Sequence, residues 1–443
     1  MKKFSRLLAL MGVACFALFM VACNNDSNEQ PVDTNGNDDG ANVETPANDD
    51  ETTDDDIVLE LWGMGSEGEL LSGMVERFEA ENPGIRINVT AFPWTEGRES
   101  LVTAIIAQSG PDIVQIGSTW FPQMADAGGL LDLTPHFDGA EFAYLDRDSF
   151  FEGALAGATF DGKNYGVPWY VETRVLFYRS DLLREVGFDN PPATQSELLE
   201  AATLLAEQSG YFGMDMNILD SQTLHIFSHS NGMEMVDATT RTANFADPVL
   251  IEAMTLYAEF FQSGAVSIPG EFEMDIIQAF SEGIRPMFIS GPWMVNAFVN
   301  AVEDGTIEDF EWDIAVLPQG STGNTSFLGG AQLTATAWTA HEEAAVSFIN
   351  FMSNPDVQVE WFEMSTTLPS VASAWNNPLL VENDKLAVFG AQLNDAQGPS
   401  VIIEFSEIET RIVYALERIV VGGDDVAETM NRLNAEAQEI LDR

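Results

Sequence analysis

Strand-like and helix-like segments alternate through the body of the chain, and this alternation limits the fold more than any other feature of the sequence. Residues 57–62 form an apolar, strand-like run, and the apolar spacing over 67–82 predicts an amphipathic helix. The same pattern predicts a strand at 85–89, a helix at 96–109 and a buried strand at 112–116. Because parallel strands need crossover segments between them, this order predicts an α/β sheet with parallel strands.

The second half of the chain continues this mixture with wider spacing. Residues 167–178 are predicted to be extended, and Thr194 with Glu197 has the spacing of a capping box at the start of a helix over 194–208. Further predicted elements are a strand at 285–290 and helices at 248–262, 274–282, 344–352, 405–421 and 426–441.

Composition excludes several classes of protein. With 45% hydrophobic residues in 443, the chain can bury a core, and its length suits two or three domains. A net charge of −53, from 71 acidic and 18 basic residues, argues against binding nucleic acid or a broad anionic lipid surface. Two cysteines, both within the first 23 residues, make a disulfide framework impossible.

The N-terminus has the pattern of an export signal. Three basic residues precede an uncharged apolar run at 7–22, which is too short for a typical membrane span and predicts a signal peptide over 1–22. Ala22 followed by Cys23 and polar residues resembles a bacterial lipobox, although Met20 stands where leucine is usual. We therefore expect lipidation of Cys23, and the alternative is ordinary cleavage beside an incidental cysteine.

Residues 23–56 are predicted to be a disordered acidic tether. Within 24–56 there are twelve acids and no lysine or arginine, so little apolar surface can offset the entropy of ordering this segment. A flexible coil of this length spans ~30 Å on average. A lipid on Cys23 would then hold the folded body at the outer face of the cell membrane, with more than one acyl chain for stable anchoring.

Two motifs suggest cofactor or metal chemistry, and each lacks its partners. The GxGxxG sequence at 63–68 follows a strand as in dinucleotide-binding proteins, but no acid for the ribose ends the next strand. The alternative is a glycine-rich turn that lets a ligand approach the backbone. His225 and His229 have a zinc-compatible spacing without a nearby third ligand, so core or surface histidines are favoured. We therefore expect neither a cofactor nor a metal.

Aromatic residues near predicted strand ends and turns form the most informative pattern. In open α/β sheets, ligands bind outside the carboxyl ends of the strands, where flat rings suit the C–H face of a sugar. Carboxylates and amides nearby would bind its hydroxyl groups. The alternative is that each tryptophan fills the core. The aromatic set comprises Trp62, Trp94, Trp120, Trp169, Tyr170 and Trp293.

The order of these segments resembles the bacterial extracellular solute-binding proteins that feed sugar ABC transporters, and the resemblance extends over 57–443. The matching segments are LWGMGSEGE (61–69), FEAENPGIRINV (78–89), FPWTEGRESLVTAI (92–105), PDIVQIGSTW (111–120), AGGLLDLTP (127–135), GKNYGVPWYVETRVLFYRSDLL (162–183), FSEGIRPMFISGPW (280–293) and LGGAQL (328–333).

The resemblance implies a two-lobed type II periplasmic-binding-protein fold with a hinge and an interlobe ligand cleft. It places the N-terminal lobe at 57–167 and 293–340 and the C-terminal lobe at 168–292 and 341–443. It further implies a monomeric, non-catalytic protein that carries a mono- or oligosaccharide to the membrane subunits of an ABC permease.

The resemblance also suggests which residues contact the sugar. Two departures leave the sugar's identity open: Gly117 stands where some relatives have an aspartate, and a late arginine has no counterpart in 397–403. Arg98 or Arg174 is a candidate replacement donor. The suggested ligand-binding residues are Trp62, Glu67, Trp94, Trp120, Trp169, Tyr170, Glu172, Trp293, Gly329, Gly330 and Gln332.

Two alternatives remain open at this stage. The same fold could bind a peptide, a polyamine or a metal chelate, and the acidic composition makes a cationic ligand conceivable. A secreted glycosidase is the second alternative, because 71 acids leave room for a facing pair of carboxylates, although no local motif supports one.

The charge of the folded body leads to a prediction about salt. Residues 57–443 carry 59 acids, 13 arginines and two lysines, so the tether does not account for the excess. We interpret such a surface as adaptation to a salty exterior, where screening reduces self-repulsion. The melting temperature should therefore rise from low to molar NaCl, and a flat dependence in differential scanning calorimetry would contradict this interpretation.

Overall fold

The computed structural model describes residues 57–139, 145–272 and 274–443. The strands are β1 (Ile57–Met64), β2 (Ile85–Phe92), β3 (Ile113–Gly117), β4 (Thr159–Phe160), β5 (Lys163–Asn164), β6 (Val167–Thr173), β7 (Val175–Tyr178), β8 (Val236–Asp237), β9 (Thr242–Ala243), β10 (Met287–Ser290), β11 (Asp313–Ala315), β12 (Ser326–Ala335), β13 (Leu368–Pro369) and β14 (Ala396–Gln397).

Helices occupy much of the remaining chain. They are α1 (Gly65–Glu81), α2 (Trp94–Ala107), α3 (Phe121–Asp126), α4 (Thr134–Asp138), α5 (Glu152–Ala156), α6 (Ser180–Glu185), α7 (Gln195–Ser209), α8 (Gln222–His229), α9 (Pro248–Gln262), α10 (Ile276–Ser281), α11 (Trp293–Glu303), α12 (Glu342–Met352), α13 (Pro355–Ser365), α14 (Pro378–Val381), α15 (Asp384–Leu393), α16 (Phe405–Val420) and α17 (Val426–Leu441).

The larger sheet has the strand order β13-β6-β12-β3-β1-β2, with β14 paired to β12. β1 is parallel to both β2 and β3, which confirms the predicted parallel pairing. β12 runs antiparallel to β3 on one side and to β6 on the other. The sheet is therefore mixed, and a strand from late in the chain lies at its centre.

Helices cover both faces of this sheet. On one face, Leu71 and Phe78 of α1 pack in one core with Phe348 of α12 and Trp361 of α13. On the other face, Leu101 of α2 packs in a second cluster that also contains residues of α3. The amphipathic spacing of α1 thus buries one face of the helix against the sheet, which is the main source of helix stability in a folded protein.

The smaller sheet is antiparallel, with the order β10-β7-β11. Successive residues of β7 point to opposite faces, as strand geometry requires. Leu176 joins a large core with α7, α8, α9, α16 and α17, whereas Phe177 packs with Phe280 and Phe298 on the other face. This second layered unit completes the two-lobed α/β fold.

The sheets suggest a different division of the chain from the sequence-based boundaries. α11 packs with the smaller sheet, and its Phe298 lies 6.4 Å from Phe177 between ring centroids. α12 and α13 instead share a core with the larger sheet. We therefore propose that 57–173 and 326–371 belong to the first lobe, and that 174–325 and most of 377–443 belong to the second.

The start of α7 carries the cap that the sequence predicts. The Thr194 hydroxyl accepts a hydrogen bond from Glu197 N at 3.1 Å, and the Glu197 carboxylate accepts one from Ala193 N at 2.8 Å. The predicted cap is therefore present, with the returning carboxylate bound one residue earlier than in the usual capping box.

Within the described ranges, every helix is too short or too polar to cross a lipid bilayer. The predicted signal peptide, the Cys23 lipidation site and the acidic tether lie outside those ranges.

The two histidines with zinc-compatible spacing lie in the core of the second lobe. His225 is 2% exposed and His229 is 8% exposed, and their rings meet at 5.7 Å. His225 also packs against Phe327 and Phe405. Burial lowers the pKa of His225 to about 3 and that of His229 to about 4.

These pKa values predict acid sensitivity. In the unfolded chain each histidine binds a proton near pH 6.5, whereas in the folded chain it does so only at much lower pH. The contribution of the two neutral histidines to stability is therefore complete above pH 6.5 and falls below it. At pH 5 each histidine should lower the free energy of unfolding by roughly 2 kcal/mol relative to pH 7. The His225→Gln, His229→Gln double variant should show a shallower loss between pH 7 and pH 5 in urea titrations.

His341→Gln, at a half-buried site before α12, serves as the control for this measurement. Identical pH slopes for the double variant and the unmodified protein would show that the buried pair is not responsible.

Candidate ligand-binding cleft

A glycine turn between β1 and α1 forms one wall of the candidate cleft. Gly65 has φ +63°, and a Cβ there would lie 2.5 Å from Trp94 Nε1 and 3.2 Å from Glu67 Oε2. Gly68 packs against the backbone of Gly63, where a Cβ would come within 2.6 Å of the carbonyl carbon. The GxGxxG sequence thus permits close helix–strand packing and brings Glu67 and Trp94 to the same turn.

Trp94 and Trp120 form an aromatic corner beside this turn. Trp94 is the first residue of α2 and is 37% exposed, whereas Trp120 precedes α3 and is 8% exposed. Their rings meet edge to face at 5.7 Å, a favourable aromatic geometry. A Cβ on Gly117 would lie 2.6 Å from Trp120 Nε1 and 3.3 Å from Trp94 Cζ3. The absence of an aspartate at this position therefore makes room for the two rings.

The paired strands β6 and β12 form the floor between the lobes. Gly330 has φ +128°, and a Cβ there would lie 2.2 Å from Tyr170 O, so only glycine permits this approach. Gln115 donates to the Tyr170 hydroxyl at 3.4 Å and accepts from Met64 N at 2.6 Å. This hydrogen-bonded chain connects the floor to the end of β1.

Charged groups gather at the end of β6. Glu172 Oε2 lies 3.9 Å from Arg174 Nη1, and both side chains are largely buried. Burial raises the pKa of Glu172, the positive charge of Arg174 opposes this, and the nearby Glu67 carboxylate adds to it. Burial lowers the pKa of Arg174, against the opposing charges of Glu172 and Asp220. The charges of Glu172 and Asp220 therefore both act on the Arg174 guanidinium.

Trp293 lies on the side of the second lobe. It is the first residue of α11, and its indole is 40% exposed. The Arg174 guanidinium carbon lies 4.6 Å from the centre of its ring, and Gly291 leaves space for that ring, since a Cβ would come within 2.1 Å. One face of Trp293 is therefore supported by a cation, and part of the side chain stays open to solvent.

A small cavity of ≈ 30 Å³ lies against the floor. Tyr170, Gly329, Gly330 and Gln332 line it, together with Ser118 from the loop after β3. Gln332 donates to Gly157 O at 3.3 Å, while its Oε1 has no hydrogen-bond partner among the described residues. The Gly329–Gly330 turn and the Gln332 amide, which the resemblance suggests as ligand contacts, therefore line the same cavity, although Gln332 is only 4% exposed.

A larger crevice of ≈ 870 Å³ continues from this cavity. Asp161 from the first lobe and Glu234 with Arg241 from the second contribute to its walls, and residues 397–403 separate it from the floor. Both lobes therefore line this crevice, as expected for a fold whose lobes enclose a ligand.

Two of the suggested aromatic residues lie elsewhere. Trp169 is 1% exposed and packs at 4.6 Å from Trp361 in the core of the first lobe. Trp62 packs against Phe92 at 5.0 Å, and its ring reaches the Gly110 turn beside Trp338. Trp169 is therefore a core residue, the alternative considered for each tryptophan, whereas Trp62 is half-buried against Phe92. We leave both out of the proposed ligand set.

Strand alternation could not have separated Trp169 from Tyr170, because the β6–β12 register shifts at Trp169 and the two rings meet at 5.3 Å in one core. Of the two, only Tyr170 also lines the small cavity. Ser118 and Asp220 had no signal in the sequence, because neither belongs to a recognisable motif. Arg98 donates to Gln123 at 2.7 Å, and Gln123 in turn donates to Ile403 O, so Arg98 supports a contact between segments.

Among the described residues, no group of three or more His, Cys, Asp or Glu side chains has an arrangement that could hold a metal ion.

The chain is similar to several known binding proteins. A galactooligosaccharide-binding protein of Bacillus subtilis is 25% identical over 386 residues, covering 84% of this chain and 87% of its own. The diacetylchitobiose-binding protein DasA of Streptomyces coelicolor is 25% identical over 352 residues, covering 78% of this chain and 77% of its own.

Among solved structures, the sugar-binding protein MalE of Xanthomonas citri matches with a TM-score of 0.81 and 28% identity, covering 87% of this chain and 97% of that protein. The family model for bacterial extracellular solute-binding proteins matches residues 64–359. With more than half of its length in this match, the chain belongs to the bacterial extracellular solute-binding proteins.

Proposed function

We propose that this chain is the substrate-binding subunit of an ABC importer, which captures a sugar outside the cell and delivers it to the permease. The observation that supports this most strongly is the match to the extracellular solute-binding family over residues 64–359, with relatives that include named sugar-binding proteins. Closure of the lobes around the sugar would give the permease a loaded form to recognise, because ligand shifts the open–closed equilibrium by its differential affinity.

The cleft supports a sugar over the other solutes considered above. Trp94 and Trp293 are the partly exposed rings on opposite lobes, and Glu67 and Glu172 supply acceptors for hydroxyl groups. A cleft lined by carboxylates without aromatic rings would have favoured a cationic solute, and here two partly exposed rings accompany the carboxylates. The proposed ligand set is Glu67, Trp94, Trp120, Tyr170, Glu172, Trp293, Gly329, Gly330 and Gln332.

The family is one of binding proteins, and we propose a monomer without catalytic activity. The glycosidase alternative would be favoured only if an oligosaccharide were cleaved and if one carboxylate substitution abolished that cleavage.

Sugar binding can be tested with intrinsic tryptophan fluorescence and calorimetry on a panel of neutral mono- and oligosaccharides. At least one sugar should bind, and Trp94→Ala or Trp293→Ala should weaken it roughly ten- to hundredfold, because each removes apolar ring contact. Trp62→Phe is the matched control and should leave the affinity unchanged. Absence of any thermal shift with millimolar sugars would overturn the proposal.

We further propose that the chain is exported and anchored through lipid on Cys23. The support is the pattern of basic, apolar and small residues before Cys23 and the acidic segment after it. When the full chain is expressed in a bacterium that processes lipoproteins, it should fractionate with membranes, and Cys23→Ala should release it into the soluble fraction. Cys15→Ala is the control, and an unchanged distribution for Cys23→Ala would contradict the anchor.

A further inference from the structure

Arg174 is the single residue between β6 of the larger sheet and β7 of the smaller sheet. Its backbone is fixed from both sides by Ser326, the first residue of β12. Arg174 N donates to Ser326 Oγ at 3.1 Å, and the same hydroxyl donates to Arg174 O at 2.8 Å. The position of this residue is therefore set where the two lobes join.

The guanidinium of Arg174 is held without all of its hydrogen bonds being satisfied. The residue is 9% exposed, and Nη1 has no hydrogen-bond partner among the described residues. The closest carboxylate oxygen, Glu172 Oε2, lies at 3.9 Å, beyond hydrogen-bond distance. A buried donor without a partner is costly, so this gap calls for an atom that the protein does not supply.

We propose that the gap between Arg174 and Glu172 is a slot for one hydroxyl group of the ligand, and this rests on the proposed sugar-binding function. A single oxygen can lie about 2.8 Å from both atoms when they are 3.9 Å apart. It would accept from Arg174 Nη1 and donate to Glu172 Oε2. A hydroxyl has both capacities, as each role requires.

The same geometry disfavours charged sugars. A carboxylate in the slot could not donate to Glu172, and it would lie near the charges of Glu67 and Asp220, which both act on this pair. An ammonium group could not accept from Arg174 and would be repelled by the guanidinium. The slot therefore selects a neutral polyol at this position of the ligand.

Arg174 also connects this slot to the aromatic wall. Its guanidinium lies over one face of Trp293 at 4.6 Å. Because the backbone of Arg174 is fixed by Ser326, this contact holds the indole at a defined place beside the slot. Arg174 therefore orients the Trp293 ring on the second lobe, and it also places its own Nη1 donor where the two lobes join.

The test uses the full folded chain and a neutral sugar that binds in the fluorescence panel, together with the series of its monodeoxy analogues. In the unmodified protein, removing one particular hydroxyl should weaken binding ten- to hundredfold. In Arg174→Met, the parent sugar should bind ten- to hundredfold more weakly, and the same deoxy analogue should then lose little or nothing further. Glu172→Gln keeps an acceptor oxygen but loses the charge, so it should show a smaller loss of discrimination at that same hydroxyl.

The control is Arg77→Met, since Arg77 also lies over an aromatic ring, Phe351, but on the outer side of the first lobe. It should leave the pattern of deoxy analogues unchanged. Ligand-free melting temperatures separate loss of folding from loss of recognition, and Glu172→Gln replaces Arg174→Met if the latter does not fold.

Each outcome can be distinguished. If the parent sugar binds and every deoxy analogue loses equally in the unmodified protein and in both variants, the hydroxyl slot is wrong while sugar binding stands. Tighter binding of the matching uronic acid or amino sugar would also overturn the slot. If no sugar in the panel binds the unmodified protein, the proposed function fails and the slot with it.

Discussion

The two-lobed architecture depends on β12 pairing at the centre of the larger sheet. Its residues complete the parallel strands of the first lobe on one side and join β6 on the other. β6 leads through one residue into the second lobe, and the chain returns from that lobe into β12. These two connections therefore lie side by side, and the cleft floor and the Glu172–Arg174 pair lie at that juxtaposition.

Residues 57–120 show how far local patterns lead. The strands and helices predicted from periodicity lie within a few residues of β1, α1, β2, α2 and β3, because each buries one continuous face. β12 was not predicted as a strand. Gly329 and Gly330 interrupt its apolar pattern, and its partners β3 and β6 lie more than 150 residues away in the chain. Non-local pairing of that kind leaves no periodic signal.

The candidate site was only partly predictable for a similar reason. A tryptophan near a strand end can face the cleft or the core, and the difference depends on which partner covers it. Trp94 stays partly exposed at the start of α2, whereas Trp169 is covered by Trp361 from a helix far along the chain. Trp62 is covered by Phe92 from the neighbouring strand. Composition and position alone could not separate these cases.

The close approach at Gly330 has a mechanical consequence. With its backbone pressed against Tyr170 and a register shift one residue later, the β6–β12 pair has no room for one strand to slide past the other. A rotation of one lobe against the other must then be taken up in the dihedral angles of the links between the lobes, at Arg174, in residues 316–325 and in residues 372–376. The β6–β12 pair therefore stays rigid during such a rotation, and the backbone of the links bends.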